Sequence, residues 1–256
     1  MVKQAFLFVC WLMVIVSGAC SEEWSEQQSD HFIVYSKNAP SGFVQNALES
    51  AEQIYEKTTT TLGITRYQGW IWEDRVKIYI YDNADDYKQS SGYDWSAGIV
   101  STQNRTISTY PSASGFFDSV LPHELGHIIF REYVGSDADI PLWFEEGVAM
   151  YQERGKRFGA DDDVRQIMKT GHFIPLSALH DMRLGKGSDP DLVKIFYAEA
   201  ASVVSFLLEE GEQYRFSRLC DELKKEVRFE TAFKKSYMAY QTLNDLDVAW
   251  RGYLEK

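Results

Sequence analysis

Cysteine is scarce in this 256-residue chain, with Cys10, Cys20 and Cys220 its only three. Cys10 sits in an N-terminal apolar run expected to be cleaved off, and Cys20 stands at the expected cut. With a lipid on Cys20, Cys220 is left alone and no intrachain disulfide is possible. Cys220 lies in an amphipathic stretch, Tyr214 to Val227, so a buried structural thiol is expected there rather than a nucleophile. Basic residues are also few: 26 Lys and Arg against 38 Asp and Glu, a formal net charge of −12. Phosphate recognition needs clustered Lys and Arg, so nucleic acid is excluded as a partner, as is polybasic attraction to anionic lipid. The N-terminal run, Ala5 to Val16, is shorter than the roughly 20 apolar residues that span a bilayer. There is no internal repeat or low-complexity tract, and no pattern assigns an oligomeric state.

The N-terminus has the form of a secretory signal over residues 1–20: Lys3, a short apolar core, then Ser17 and Ala19 at positions −3 and −1 of a cut before Cys20. A cysteine at that place resembles the bacterial lipobox, although Ser17 stands where Leu or Val is usual. The expectation is an exported protein, either secreted or held to the cell envelope by a lipid on Cys20, its one membrane attachment. Residues 21–30 are polar and acidic and read as a tether.

Residues 31–115 are strand-rich. His31 to Ser36 and Arg75 to Tyr81 alternate as strands, Ser41 to Leu62 has helical spacing stopped by Gly63, and Gly98–Thr102 with Thr106–Tyr110 forms a hairpin. Residues 116–256 read as helical, with segments at Phe116–Tyr133, Pro141–Arg154, Val164–Lys169, Leu192–Glu210, Tyr214–Val227 and two shorter ones to the end. Polar interruptions are expected at Gly155–Asp163 and Arg183–Asp191. A small mixed sheet with one helix, followed by a mostly helical half, is an α+β class.

His123-Glu124-Leu125-Gly126-His127 carries the chemistry. Histidines four apart on a helix project from one face and hold one Zn²⁺, while Glu124 flanks the ion where a general base belongs. Pro122 starts or kinks that helix. A catalytic zinc takes three protein ligands, and the segment Pro141 to Tyr151 offers Glu145 and Glu146 on a second helix.

Eighteen residues, 128 to 145, separate His127 from Glu146, and Trp143-Phe144-Glu145-Glu146-Gly147-Val148-Ala149 follows a Trp-x-x-Glu-Gly-x-Ala pattern. Spacing and segment together resemble the gluzincin zinc peptidases of the aminopeptidase N type. The shorter secreted peptidase MA-like proteins of that clan resemble the chain over nearly all of 31–256, including Gly171 to Leu176, Tyr197 to Leu207 and Ala249 to Leu254. The resemblance implies a zincin cleft between the two parts, with His123, His127 and Glu146 holding one catalytic Zn²⁺ and Glu145 left as a neighbour. It also implies that Glu124 is the base and that Tyr197 stabilises the oxyanion. Tyr110 and Tyr151 are weaker counterparts.

The implied activity is hydrolysis of a peptide or protein substrate, with the strand around Ile107 to Tyr110 at the cleft edge. Two departures narrow this. The amine-gripping Glu of aminopeptidases is missing from Gly98 to Thr102, so aminopeptidase activity is not implied. Met150 stands where thermolysin-type enzymes have an Asp. Glu153, one turn further on, could orient a ligand histidine, with an exposed helix-surface Glu the favoured reading, and His31, His172 and His180 lack ligand spacing. Asn104-Arg105-Thr106 is a glycosylation sequon wherever the host modifies secreted proteins. A non-catalytic zinc lipoprotein that binds partners and a zinc hydrolase of a non-peptide bond are the alternatives; an intact Glu124 disfavours the first.

Overall fold

The computed structural model describes residues 24–64, 75–91, 98–101, 104–185 and 187–256. The expected signal and Cys20 lie outside them. Five strands form one mixed sheet in the order β1-β2-β3-β5-β4: β1 (Ser25–Gln28), β2 (Phe32–Ser36), β3 (Val76–Ile80), β4 (Gly98–Ser101) and β5 (Thr106–Thr109). β2, β3 and β5 run parallel, and β1 and β4 are antiparallel to their neighbours. Val34 lies opposite Ile78, and Ile78 opposite Ile107. This gives the core face of the sheet a row of β-branched side chains, the residue type that packs best on a pleated surface.

That face is covered by α1 (Ser41–Leu62), which buries Val44, Ala47, Leu48, Ala51, Thr58 and Leu62 and ends at Gly63 with φ 66°. A second helix, α2 (Ala84–Ser91), is present beside the one expected. Ser25–Gln28 is not tether but strand: it pairs with β2 from Ser25↔Ser36 to Gln28↔Ile33. All four residues are exposed, so backbone hydrogen bonds hold this edge and no apolar pattern announced it.

The remainder is helical: α3 (Leu121–Val134), α4 (Leu142–Gln152), α5 (Arg154–Thr170), α6 (Leu176–Asp181), α7 (Pro190–Glu209), α8 (Gln213–Leu223), α9 (Phe229–Ser236) and α10 (Leu243–Leu254). Prolines begin several of them, Pro141 capping α4, Pro175 capping α6 and Pro190 opening α7. Their fixed φ suits the first turn, where no N–H partner is needed. Pro122 stands in the first turn of α3, one residue from the start expected there. A wider turn over Phe116–Val120 precedes the helix, with the Leu121 N–H reaching back to the Phe116 carbonyl.

The interruption expected at Gly155–Asp163 is instead the first half of α5. Only Ala160 and Val164 of α5 are buried, too few to mark a helical stripe in sequence. Asp189 caps α7 by accepting from the Asp191 and Leu192 N–H groups, so that helix starts within the second expected interruption.

α4 lies between α3 and α7, and glycines set both contacts. A Cβ on Gly126 would lie 2.9 Å from the Ala149 Cα, and one on Gly147 only 2.3 Å from the Ala200 carbonyl oxygen. One hydrophobic core runs from Phe32 in the sheet to Leu254 in α10. Thr58 of α1 also donates to Gln152 of α4 across the junction at 3.2 Å.

Candidate metal centre

α3 presents His123 and His127 one turn apart, their Nε2 atoms 3.2 Å from each other. Close packing of α4 brings Glu146 to the same point, its Oε2 3.6 Å from each Nε2. Among the described residues these three form the group suited to a metal, with donor atoms within 4.8 Å of one another. A tetrahedral ion with bonds of about 2.0–2.1 Å requires donors about 3.3–3.5 Å apart. The triangle fits zinc in size as well as donor type, and three ligands leave one position open.

Each histidine has a carboxylate behind it. His123 Nδ1 lies 2.8 Å from Glu153 Oε1, and Glu153 Oε2 accepts from the Ser119 hydroxyl. This arrangement places the imidazole proton on Nδ1 and frees the Nε2 lone pair for a metal. Glu153 was expected on the exposed helix surface and is instead 6% exposed. α4 stops at Gln152, and Glu153 adopts extended backbone angles, φ −75° and ψ 114°. Helical phase therefore does not carry through to it, and its side chain turns inward. Ser119, four residues before His123, lies in the turn that leads into α3, so its helical offset places it beside the His123 ring.

His127 is held more loosely, its Nδ1 3.8 Å from Glu145 Oε1. Glu145 is engaged by the Arg131 guanidinium, at 2.6 Å from Nε and through Nη2 as well. Arg131 also donates to the Ala138 carbonyl at 3.0 Å, pinning the α3–α4 connection. Glu145 is thereby committed to Arg131, and Glu146 is left to face the histidines.

Electrostatics follow from burial and crowding. Burial alone would lower the His123 pKa; the hydrogen bond to Glu153 and the carboxylates of Glu124, Glu153 and Glu146 outweigh it and raise it. Burial raises the Glu124 pKa; the two histidines pull it down and Glu146 and Glu153 push it up, with a net rise. A carboxylate raised toward neutrality is tuned for proton transfer.

Tyr197 projects from α7 into the same field. Burial, then the charges of Glu146 and Glu124, raise its pKa, so it remains a hydroxyl donor at neutral pH. The other two tyrosines are elsewhere. Tyr151 donates to Glu209 at 3.1 Å beneath the Arg157 guanidinium, and Tyr110 packs on Tyr87 with ring centroids 5.2 Å apart. His31 pairs with Glu52 at 2.7 Å, His172 is exposed, and His180 accepts from the Trp143 indole at 3.4 Å. None of the three joins the centre.

The expected hairpin is present as β4 and β5; residues 106–109 pair on both sides, with β3 and with β4, so β1 and β4 are the edges of the sheet. An open cavity of about 770 Å³ begins at His123, Glu153 and Tyr197 and runs between α5 and α7.

Two imidazoles and a carboxylate thus converge from two helices, with an acid beside them, on a possible metal site. The family model of the peptidase MA superfamily matches residues 58–256, and the chain belongs to that superfamily. No curated protein is a significant match to it.

Proposed function

We propose that the protein is an exported zinc metallopeptidase that cleaves peptide bonds with Glu124 as general base. The observation that carries this reading is the His123–His127–Glu146 triangle with the raised-pKa Glu124 next to His123. A structural zinc site needs four closed ligands and no such acid. Zinc, when held by His123, His127 and Glu146, supplies Lewis acidity toward the scissile carbonyl and makes water a stronger acid.

The chain's own groups do the rest. Glu124 accepts the proton of the attacking water and returns it to the leaving amine. The Tyr197 hydroxyl donates to the oxygen of the carbonyl under attack as charge develops there. Glu153 and Ser119 fix the tautomer and tilt of His123. Export rests on the signal-like residues 1–20 and attachment on a lipid at Cys20. The substrate is peptide or protein; the acidic surface gives no reading toward nucleic acid.

The test is zinc content and cleavage of a mixed peptide library by wild type and Glu124→Gln. Metal should be retained and cleavage should fall at least about 100-fold. Cleavage that survives removes Glu124 from the mechanism, and zinc-free protein on both sides removes the whole reading.

A further inference from the structure

We propose that the cavity between α5 and α7 selects one substrate side chain next to the scissile bond. It accepts a large apolar group, and Ala160 and Ala201 set its depth. This rests on the peptidase reading above and names the side-chain class for that site.

The cavity's position makes the first argument. It opens at His123 and Tyr197, so a group entering it stays attached to a backbone lying over the centre. Its apolar lining includes Ala160 and Ile167 of α5 and Ile195, Ala198 and Ala201 of α7, at the spacings that keep residues of each helix on one side.

The floor is Met150, Ala160 and Ala201, which pack together at 3%, 3% and 2% exposure. Beside the floor the two helices are tied by the Ser202 hydroxyl, which donates to Asp161 at 2.6 Å. The floor is therefore fixed, and its depth is decided by two methyl groups. At about 770 Å³ the space lies within the range of pockets that hold whole small ligands, so the largest aromatic side chain fits.

Charge makes the second argument. Of the charged lining residues, Lys156, Asp163, Asp191 and Lys194 are exposed, two of each sign, and Glu153 is buried. Lys194 is spent on Asp191 at 3.0 Å. Glu153, the buried acid in the wall, has one oxygen on His123 and the other on Ser119. A basic or acidic substrate side chain would leave water with no free counter-charge at the depth of the floor, which is costly. An apolar one gains by the area it buries.

The experiment uses zinc-loaded full-length protein and peptides differing only in the residue on either side of the cleaved bond: Phe, Leu, Ala, Lys or Asp. Wild type should favour Phe and Leu. Ala201→Phe and Ala160→Phe should cut the Phe-to-Ala ratio of kcat/KM by about 10-fold or more, chiefly through KM, at unchanged zinc content. If either bulky variant fails to fold, Ala201→Val should give a smaller shift the same way. An unchanged ratio, or a wild-type preference for Lys or Asp, overturns the proposal. A binding arm separates this from failure of the peptidase reading: anisotropy of labelled Phe and Ala peptides on Glu124→Gln, with and without Ala201→Phe. Selective Phe binding that the filled pocket abolishes sustains the pocket even if nothing is cleaved; equal binding of both peptides overturns it.

Discussion

Glu153 and Glu199 are both nearly inaccessible carboxylates, 6% and 0% exposed, and the structure treats them in opposite ways. Glu153 has a partner for each oxygen, His123 and Ser119, so its charge is useful where it sits. Glu199 accepts from the Ile174 N–H at 2.9 Å through one oxygen and has no partner at the other. Burial pushes its pKa up to about 8, only partly offset by the Ile174 N–H and added to by nearby Asp247. At neutral pH Glu199 is therefore mostly a neutral acid. A buried carboxyl group with a partner at only one oxygen is left to its burial, which favours the neutral form.

Glu199→Gln breaks the comparison from one side and carries the largest expected effect. Between pH 4.5 and about 8 the unfolded chain has released this proton while the folded chain keeps it, so folding stability falls as pH rises through that window. The amide has no proton to lose. Denaturant unfolding should show the variant gaining on wild type from acid to pH 8, by on the order of a few kcal/mol at the upper end. A difference that does not change with pH would assign Glu199 a charged state throughout.

Glu153→Gln breaks it from the other side. Loss of the charge behind His123 should weaken zinc binding by about 10- to 100-fold, measured by competition with a chelator, with the fold retained. Ser119→Ala sharpens the point by leaving the charge and removing one donor; about 1 kcal/mol, less than 10-fold in zinc affinity, is expected. Glu145→Gln should have the smallest effect on zinc, within a few-fold, because Glu145 stands 3.8 Å from His127 and serves Arg131. A zinc loss as large as that of Glu153→Gln would show the two histidines to be equally dependent on their carboxylates.

What the sequence disclosed follows the same physics. Val76, Ile78 and Ile80 alternate because β3 has one buried face; the two histidines were legible because helical spacing dictates where side chains point, and Glu146 only through the family resemblance. The expectation for Cys220 holds: it is fully buried in α8, and burial pushes its thiol pKa up. β1 was illegible because an exposed edge needs no apolar pattern, and the start of α5 because so few of its residues face inward. Of the two readings of Glu153, the histidine-orienting one holds and the exposed one fails, because the helix ends at Gln152 and its periodicity does not reach Glu153. Sequence patterns report faces; they lose their hold where a face ends.

The missing side chain at Gly147 has one more consequence. With no room for even a methyl group before the Ala200 carbonyl, the helix bearing Glu146 rests directly on the backbone of the helix bearing Tyr197. The distance between the main chains that carry Glu146 and Tyr197 is therefore set by direct contact with the Ala200 carbonyl and the Val204 methyl, not by a loop.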